Sequence, residues 1–95
     1  MKKYEAAIVL KPHFEEEAAK QEFEKIEALI TRFGGTVEKA DEWGKRRLAY
    51  EIQKLREGIY CFITFTAEPG APAEIESRLR IAEEVLRYLI VCVDE

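Results

Sequence analysis

Ile59-Tyr60-Cys61-Phe62-Ile63-Thr64-Phe65-Thr66 is the stretch on which the fold turns, eight residues dense in β-branched and aromatic side chains. Gly58 precedes it, and the breakers Pro69, Gly70 and Pro72 follow. That composition and those boundaries predict a strand. Strand alternation puts Cys61, Ile63 and Phe65 on one face and Tyr60, Phe62 and Thr64 on the other, so both faces carry aromatic or apolar groups.

Working toward the N-terminus, the polar segment Gln53 to Gly58 predicts a hairpin connection. Before it, Thr36 to Asp41 and Arg46 to Ile52 nearly alternate, with Gly44 where a long strand can bulge and bend. One long, interrupted strand is expected there. Between Glu15 and Phe33 the apolar residues Ala19, Phe23, Ile26, Ile30 and Phe33 recur at spacings of three and four, which places them on one helical face. Glu15, Glu16 and Glu17 suit the N-terminal end of that helix, and Gly34-Gly35 suit its exit. Lys3 to Leu10 is an apolar, partly β-branched run closed by Pro12, which predicts a first strand. Toward the C-terminus, Ile75, Leu79 and Ala82 mark a shorter helix with Pro72 in its first turn and Glu74–Arg78 and Glu76–Arg80 as supporting pairs. Val85 to Val93 (VLRYLIVCV) then predicts a fourth strand before the acidic Asp94-Glu95.

The order βαββαβ constrains the topology, because right-handed crossovers bring both helices back onto one face of the sheet. The expected fold is α+β and ferredoxin-like: a four-stranded antiparallel sheet of order 4-1-3-2, with two helices on one face and the other face open. Residues 1–95 fit a single domain, since 95 residues leave no room for two cores. With 47% hydrophobic and 36% charged residues, the chain can bury one core under an ionised surface.

A formal net charge of −4 argues against coating nucleic acid by bulk charge and leaves room for a local basic patch. Cys61 and Cys92 are far apart and match neither a disulfide framework nor a CxxC metal site, which suits a reducing, intracellular setting. The basic start is followed by an apolar stretch only from Ala6 to Leu10, too short for a signal peptide, and no run is long enough to span a membrane. No catalytic, metal or cofactor site is expected. His13, the only histidine, has no neighbouring nucleophile or ligand set, the glutamates are interleaved with basic residues, and no phosphate-loop motif occurs. An acylphosphatase-like enzyme shares the fold, but Lys11-Pro12-His13-Phe14 lacks the arginine-bearing, glycine-rich anion loop that chemistry needs.

An open apolar face invites a partner. Tyr4, Tyr60, Phe62 and Tyr88 are assigned to it, where they can stack nucleobases or simply serve sheet packing and a protein interface. The RNP1-type pattern of a basic residue and glycine ahead of the third-strand aromatics is absent. Lys45-Arg46-Arg47 can protect an edge strand, meet a protein or meet phosphate. Lys2 and Lys3 open the first strand and Arg87 interrupts the neighbouring fourth, so the three are expected to cluster.

Taken together, Tyr4-Glu5 with Leu10 and Pro12, Gly34-Gly35, Gly58-Ile59-Tyr60, Leu79-Arg80-Ile81 and Val85-Leu86-Arg87 form a pattern. Its centre is Gly44-Lys45-Arg46-Arg47-Leu48-Ala49-Tyr50-Glu51-Ile52. By these segments the chain resembles the family of the sixth protein of the bacterial small ribosomal subunit over essentially its whole length. The resemblance implies a structural, non-catalytic RNA-binding protein, cytoplasmic in the small ribosomal subunit. It implies two partners, the central domain of the 16S ribosomal RNA and the eighteenth small-subunit protein, whose basic charge would explain why this chain can be acidic. It also implies a partner surface at Asp41, Glu42, Trp43, Arg46, Arg47, Leu48 and Tyr50, with Trp43 and Tyr50 as aromatic anchors. RNA contact is then expected at Lys2, Lys3, Tyr4 and Arg87, with Lys45 as a shared contributor. Some relatives extend beyond the position of Asp94-Glu95, and Cys92 stands where a basic residue would have added a contact. A non-ribosomal interaction module, using its open sheet to dimerise or bind a ligand, is the other class the residues allow.

Overall fold

The structure is a computed structural model, and it describes residues 1–93; the acidic end at Asp94-Glu95 lies outside the described residues. The chain runs β1 (Lys2–Leu10), α1 (Glu16–Arg32), β2 (Thr36–Ile52), β3 (Leu55–Ala67), α2 (Ala71–Arg80) and β4 (Val85–Cys92). The strands form one sheet of order β2-β3-β1-β4, with every neighbouring pair antiparallel. This is the ferredoxin-like order expected from the crossovers.

The central pair is β1 against β3, in unbroken register from Lys2–Ala67 to Leu10–Ile59. Directly opposed residues share a face, so Tyr4, Ala6, Ile8 and Leu10 lie on the same side as Phe65, Ile63, Cys61 and Ile59. That side is the core. Ala19, Phe23, Ile26 and Ile30 of α1 and Ala71, Ile75 and Leu79 of α2 cover it. Burying a large aliphatic or aromatic side chain contributes roughly 1.5–3 kcal/mol, which makes this one-sided layer the main source of stability.

Three local features depart from the sequence expectation. First, the hairpin between β2 and β3 turns at Gln53-Lys54 alone, with φ of 52° and 65°, and β3 begins already at Leu55. Two left-handed residues match the right-handed twist of the flanking strands, so the Ile52–Leu55 pair closes the hairpin without a glycine in the turn, although the register shifts between Arg47 and Ile52. Second, the pairs Glu74–Arg78 and Glu76–Arg80 do not close into ion pairs on α2. Arg78 instead lies 5.8 Å from the Phe33 ring centroid, as does Arg32. Third, Ala82 falls beyond the end of α2.

Two irregularities shape the open face. In β2 the register shifts between Glu42 and Gly44, and Gly44 has a φ of 79°, a left-handed conformation that bends the strand there. The paired strands β2 and β3 then run past the end of β1 as a two-stranded arm, and the arm curls over the open face. That curl forms a second small cluster in which Leu48 of β2 meets Val9 of β1 and Leu86 of β4, strands that are not its neighbours in the sheet. Ile52, Leu55 and Tyr60 surround it. Gly58 makes the contact possible, because a Cβ at that position would overlap the Val9 side chain and lie 3.3 Å from the Leu10 carbonyl oxygen.

Gly58→Ala is therefore expected to destabilise the chain by about 1–3 kcal/mol in denaturant unfolding, an overpacking cost; unchanged stability would contradict the close approach. Cys61 is fully buried, and burial, followed by the Glu42, Glu27 and Asp41 carboxylates, pushes its thiol up to about 12. At about pH 8 a thiol reagent should titrate exposed Cys92 alone in the native chain and both thiols after unfolding.

Candidate functional site

The core register decides which side chains the open face can offer. Tyr4 is opposite Phe65 and stacks on it at 5.6 Å, and Tyr88 is opposite Ile8 and packs against the helix-side core. Both expectations for the open face are thus corrected: parity with Phe65 and Ile8 sends these rings inward. Tyr4 is 7% exposed, so its ring supports the first strand from within and is not free to stack a base. Tyr60 and Phe62 do lie on the open side, opposite Val9 and Ala7.

Lys2 and Lys3 do not cluster with Arg87. Arg87 is opposite Val9, six residues along β1 from Lys3, which is roughly 20 Å at strand rise. The two basic points occupy opposite ends of adjacent strands. Lys3 is held 3.5 Å from Glu38, an exposed ion pair of small energy that a phosphate can displace.

Arg87 belongs to a different neighbourhood. A register shift between Val9 and Leu10 leaves Leu86 unpaired, so that Leu86 enters the small cluster while Arg87 remains opposite Val9. The curled arm brings Tyr50 to it from β2, with the guanidinium 5.9 Å from the ring centroid. Nearby on the same face, Arg46 lies 6.0 Å from the Trp43 ring, and Trp43 packs on Phe62 at 4.7 Å. Asp41 fixes the indole by accepting its Nε1–H at 3.1 Å. Each guanidinium–ring contact at an exposed site is worth about 0.5–1 kcal/mol, enough to orient the cation without removing it from water. Among the described residues neither Arg46 nor Arg87 has a carboxylate within ion-pair distance.

The side chains of β2 therefore divide between the two faces. Asp41, Trp43, Arg46 and Tyr50 lie on the open face. Glu42 is opposite Cys61, on the helix side, and Lys45 is opposite Ile59, also on that side. Arg47 is opposite Glu57 and alternates away from the open face. Leu48, expected on the partner surface, is 8% exposed in the free chain and packs into the small cluster. Trp43 and Tyr50 are 49% and 61% exposed, while Leu89 and Val91 add an exposed apolar strip along β4 that the sequence reading did not single out. Their alternation with Tyr88 and Ile90 is the signal that could have found them.

The family model for Ribosomal protein S6 matches residues 3–92. The chain belongs to the ribosomal protein S6 family. It is 48% identical over 91 residues to the small ribosomal subunit protein bS6 of Clostridium beijerinckii, with 96% of each chain covered. It is 43% identical to that of Moorella thermoacetica, with 100% of this chain and 97% of the relative covered. The crystal structure of 30S ribosomal protein S6 from Thermotoga maritima superposes with a TM-score of 0.90 at 28% identity, covering 96% of this chain and 86% of that one. Membership makes the chain a structural, RNA-binding protein of the small ribosomal subunit, located with the ribosome in the cytoplasm. The family is one of ribosomal structural proteins rather than enzymes. Among the described residues no helix is long and apolar enough to cross a membrane.

Because Tyr4 is a core residue, Tyr4→Ala should lower unfolding stability by about 3 kcal/mol, the cost of deleting a buried aromatic ring. A loss within about 0.5 kcal/mol, as for a surface substitution, would contradict its placement.

Proposed function

We propose that this chain binds the central domain of 16S ribosomal RNA jointly with the eighteenth small-subunit protein, and that the open face and the β2 edge are the surfaces used. The observation that carries the reading is the pair of ring-oriented guanidiniums, Arg46 at Trp43 and Arg87 at Tyr50, exposed on one face and free of carboxylate partners. Such groups present fixed donors to phosphate and flat surfaces to a partner's side chains, at little further entropy cost.

In this proposal the protein partner contacts Asp41, Trp43, Arg46 and Tyr50 on the open face and Arg47 at the β2 edge, with Trp43 and Tyr50 as anchors. RNA is met by Arg87 at one end of the sheet, by Lys2 and Lys3 at the other, and by Lys45 around the edge. Tyr4 contributes by holding β1 in place. A net charge of −4 is consistent with this division, because a basic partner supplies the long-range attraction and this chain supplies local contacts. Joining the two proteins first fixes a composite surface, so RNA binding is cooperative.

The test is binding of the purified chain to a central-domain RNA fragment, with and without the partner protein, across a salt series. Salt-weakened binding that appears mainly with the partner is expected. Arg87→Ala should weaken it by about 1–3 kcal/mol or reduce the salt slope by about one ion, without altering the fold. Equal affinity and slope for Arg87→Ala would remove Arg87 from the RNA surface, and absence of binding with both proteins folded would overturn the reading.

A further inference from the structure

A second surface lies largely on the helix side of β2. It is a groove of about 690 Å³ between the start of α1 and the bulged stretch of β2. Its floor is apolar, with Phe14, Phe23 and Ile59, and its rim carries the carboxylates of Glu15, Glu16 and Glu42. Lys45 is the single ammonium that answers them. None of the three carboxylates has a cationic partner within 4 Å among the described residues. The N-terminal end of α1 offsets about half a charge, which still leaves the lining negative.

The negative field continues along the seam between α1 and β2. Glu27 of α1 has its carboxyl raised above the ordinary range, by burial first and then by Glu24 and Glu42. The buried Cys61 feels the same Glu42 and Glu27 charges after its own burial. An apolar floor under an unneutralised acidic rim is complementary to one kind of occupant, a cationic segment with an apolar side chain to insert.

We infer that this groove docks an extended, lysine- or arginine-rich peptide segment of a protein partner, anchored by one aromatic or aliphatic side chain between Phe14 and Ile59. The volume falls within the range of small-ligand clefts and suits a few residues of extended chain. The site goes beyond the RNA and partner reading. It meets the open face at Trp43, which also lines the groove, while its Glu42 and Lys45 lie on the helix side of β2, away from Arg46 and Arg87. A basic polypeptide crossing the free edge of β2 would engage both sides of one strand. Nucleic acid is a poor occupant here, because phosphate would meet the three carboxylates.

The experiment uses the full chain and a blocked six-residue peptide of lysines around a central phenylalanine, followed by backbone NMR shifts. Two control peptides carry glutamates in place of the lysines, or alanine in place of the phenylalanine. The expected result is saturable, salt-weakened shifting of the Phe14, Glu42 and Lys45 amides by the first peptide. Affinity should fall about tenfold in the double variant Glu16→Gln with Glu42→Gln, the change expected for removing two rim charges. Both positions are exposed, so the variant keeps its fold, and its unchanged spectrum elsewhere checks this. The inference is overturned by no saturable shift, by equal binding of the glutamate peptide or of the double variant, or by shifts confined to Tyr60 and Leu89 on the open face. The probe contains neither RNA nor the eighteenth small-subunit protein, so its failure leaves the proposed function intact, and failure of the RNA assay leaves this result standing.

Discussion

The close approach at Gly58 is the constraint on which the open face depends. A sheet of order β2-β3-β1-β4 would ordinarily keep β2 and β4 two strands apart, about 14 Å at normal spacing. The absent side chain at position 58 lets Leu48 pass over β3 and reach Val9 and Leu86. That small apolar contact holds the β2–β3 arm down. Once the arm is down, Tyr50 lies against Arg87, and residues that sequence places 37 positions apart share one patch. The bend at Gly44 works with it, turning the strand so that Trp43 covers Phe62 while Glu42 stays on the helix side.

The chemistry of the surface follows from this geometry more than from composition. The chain carries more acid than base, yet β2 places Arg46 and Glu42 on opposite faces. The open side presents Arg46 and Arg87 on aromatic rings, and the helix side presents Glu42 facing Glu15 and Glu16 across a groove. One strand therefore carries the ring-bound Arg46 on one face and the groove carboxylate Glu42 on the other. Strand alternation with the bulge between Glu42 and Gly44 is sufficient to set Glu42 and Arg46 on opposite faces, since each step along β2 reverses the face and the bulge reverses it once more.

Much of this architecture was legible from periodicity. The spacing of Ala19, Phe23, Ile26 and Ile30 marks α1, and the β-branched, aromatic run after Gly58 marks β3; both act through local preferences that the folded chain retains. The hairpin at Gln53-Lys54 is shorter than its polar sequence suggests, because its left-handed residues are not the glycine or asparagine that usually signal such a turn. The candidate surface was less legible for a different reason. Whether Tyr4 and Tyr88 point in or out depends on which face of β3 the helices choose, a tertiary decision that period-two alternation leaves symmetric. The strand order follows from the crossovers, yet Lys3 and Arg87 are separated along adjacent strands, since the register of β1 against β4 is set by packing and not by strand order. The Arg87–Tyr50 pairing had no signal in the chain at all, because it exists only through the curled arm.

The central claim is that the open face, and not the helix layer, is buried when the chain joins its RNA and protein partners. Hydroxyl-radical footprinting of side chains, comparing the free chain with the complex, tests it most directly. The account predicts that Trp43, Tyr50, Leu89 and Val91, all exposed in the free chain, become protected together. Continued oxidation of Trp43 and Tyr50, with protection appearing instead at exposed Ile81 beyond α2 and along the outer faces of the helices, would contradict it.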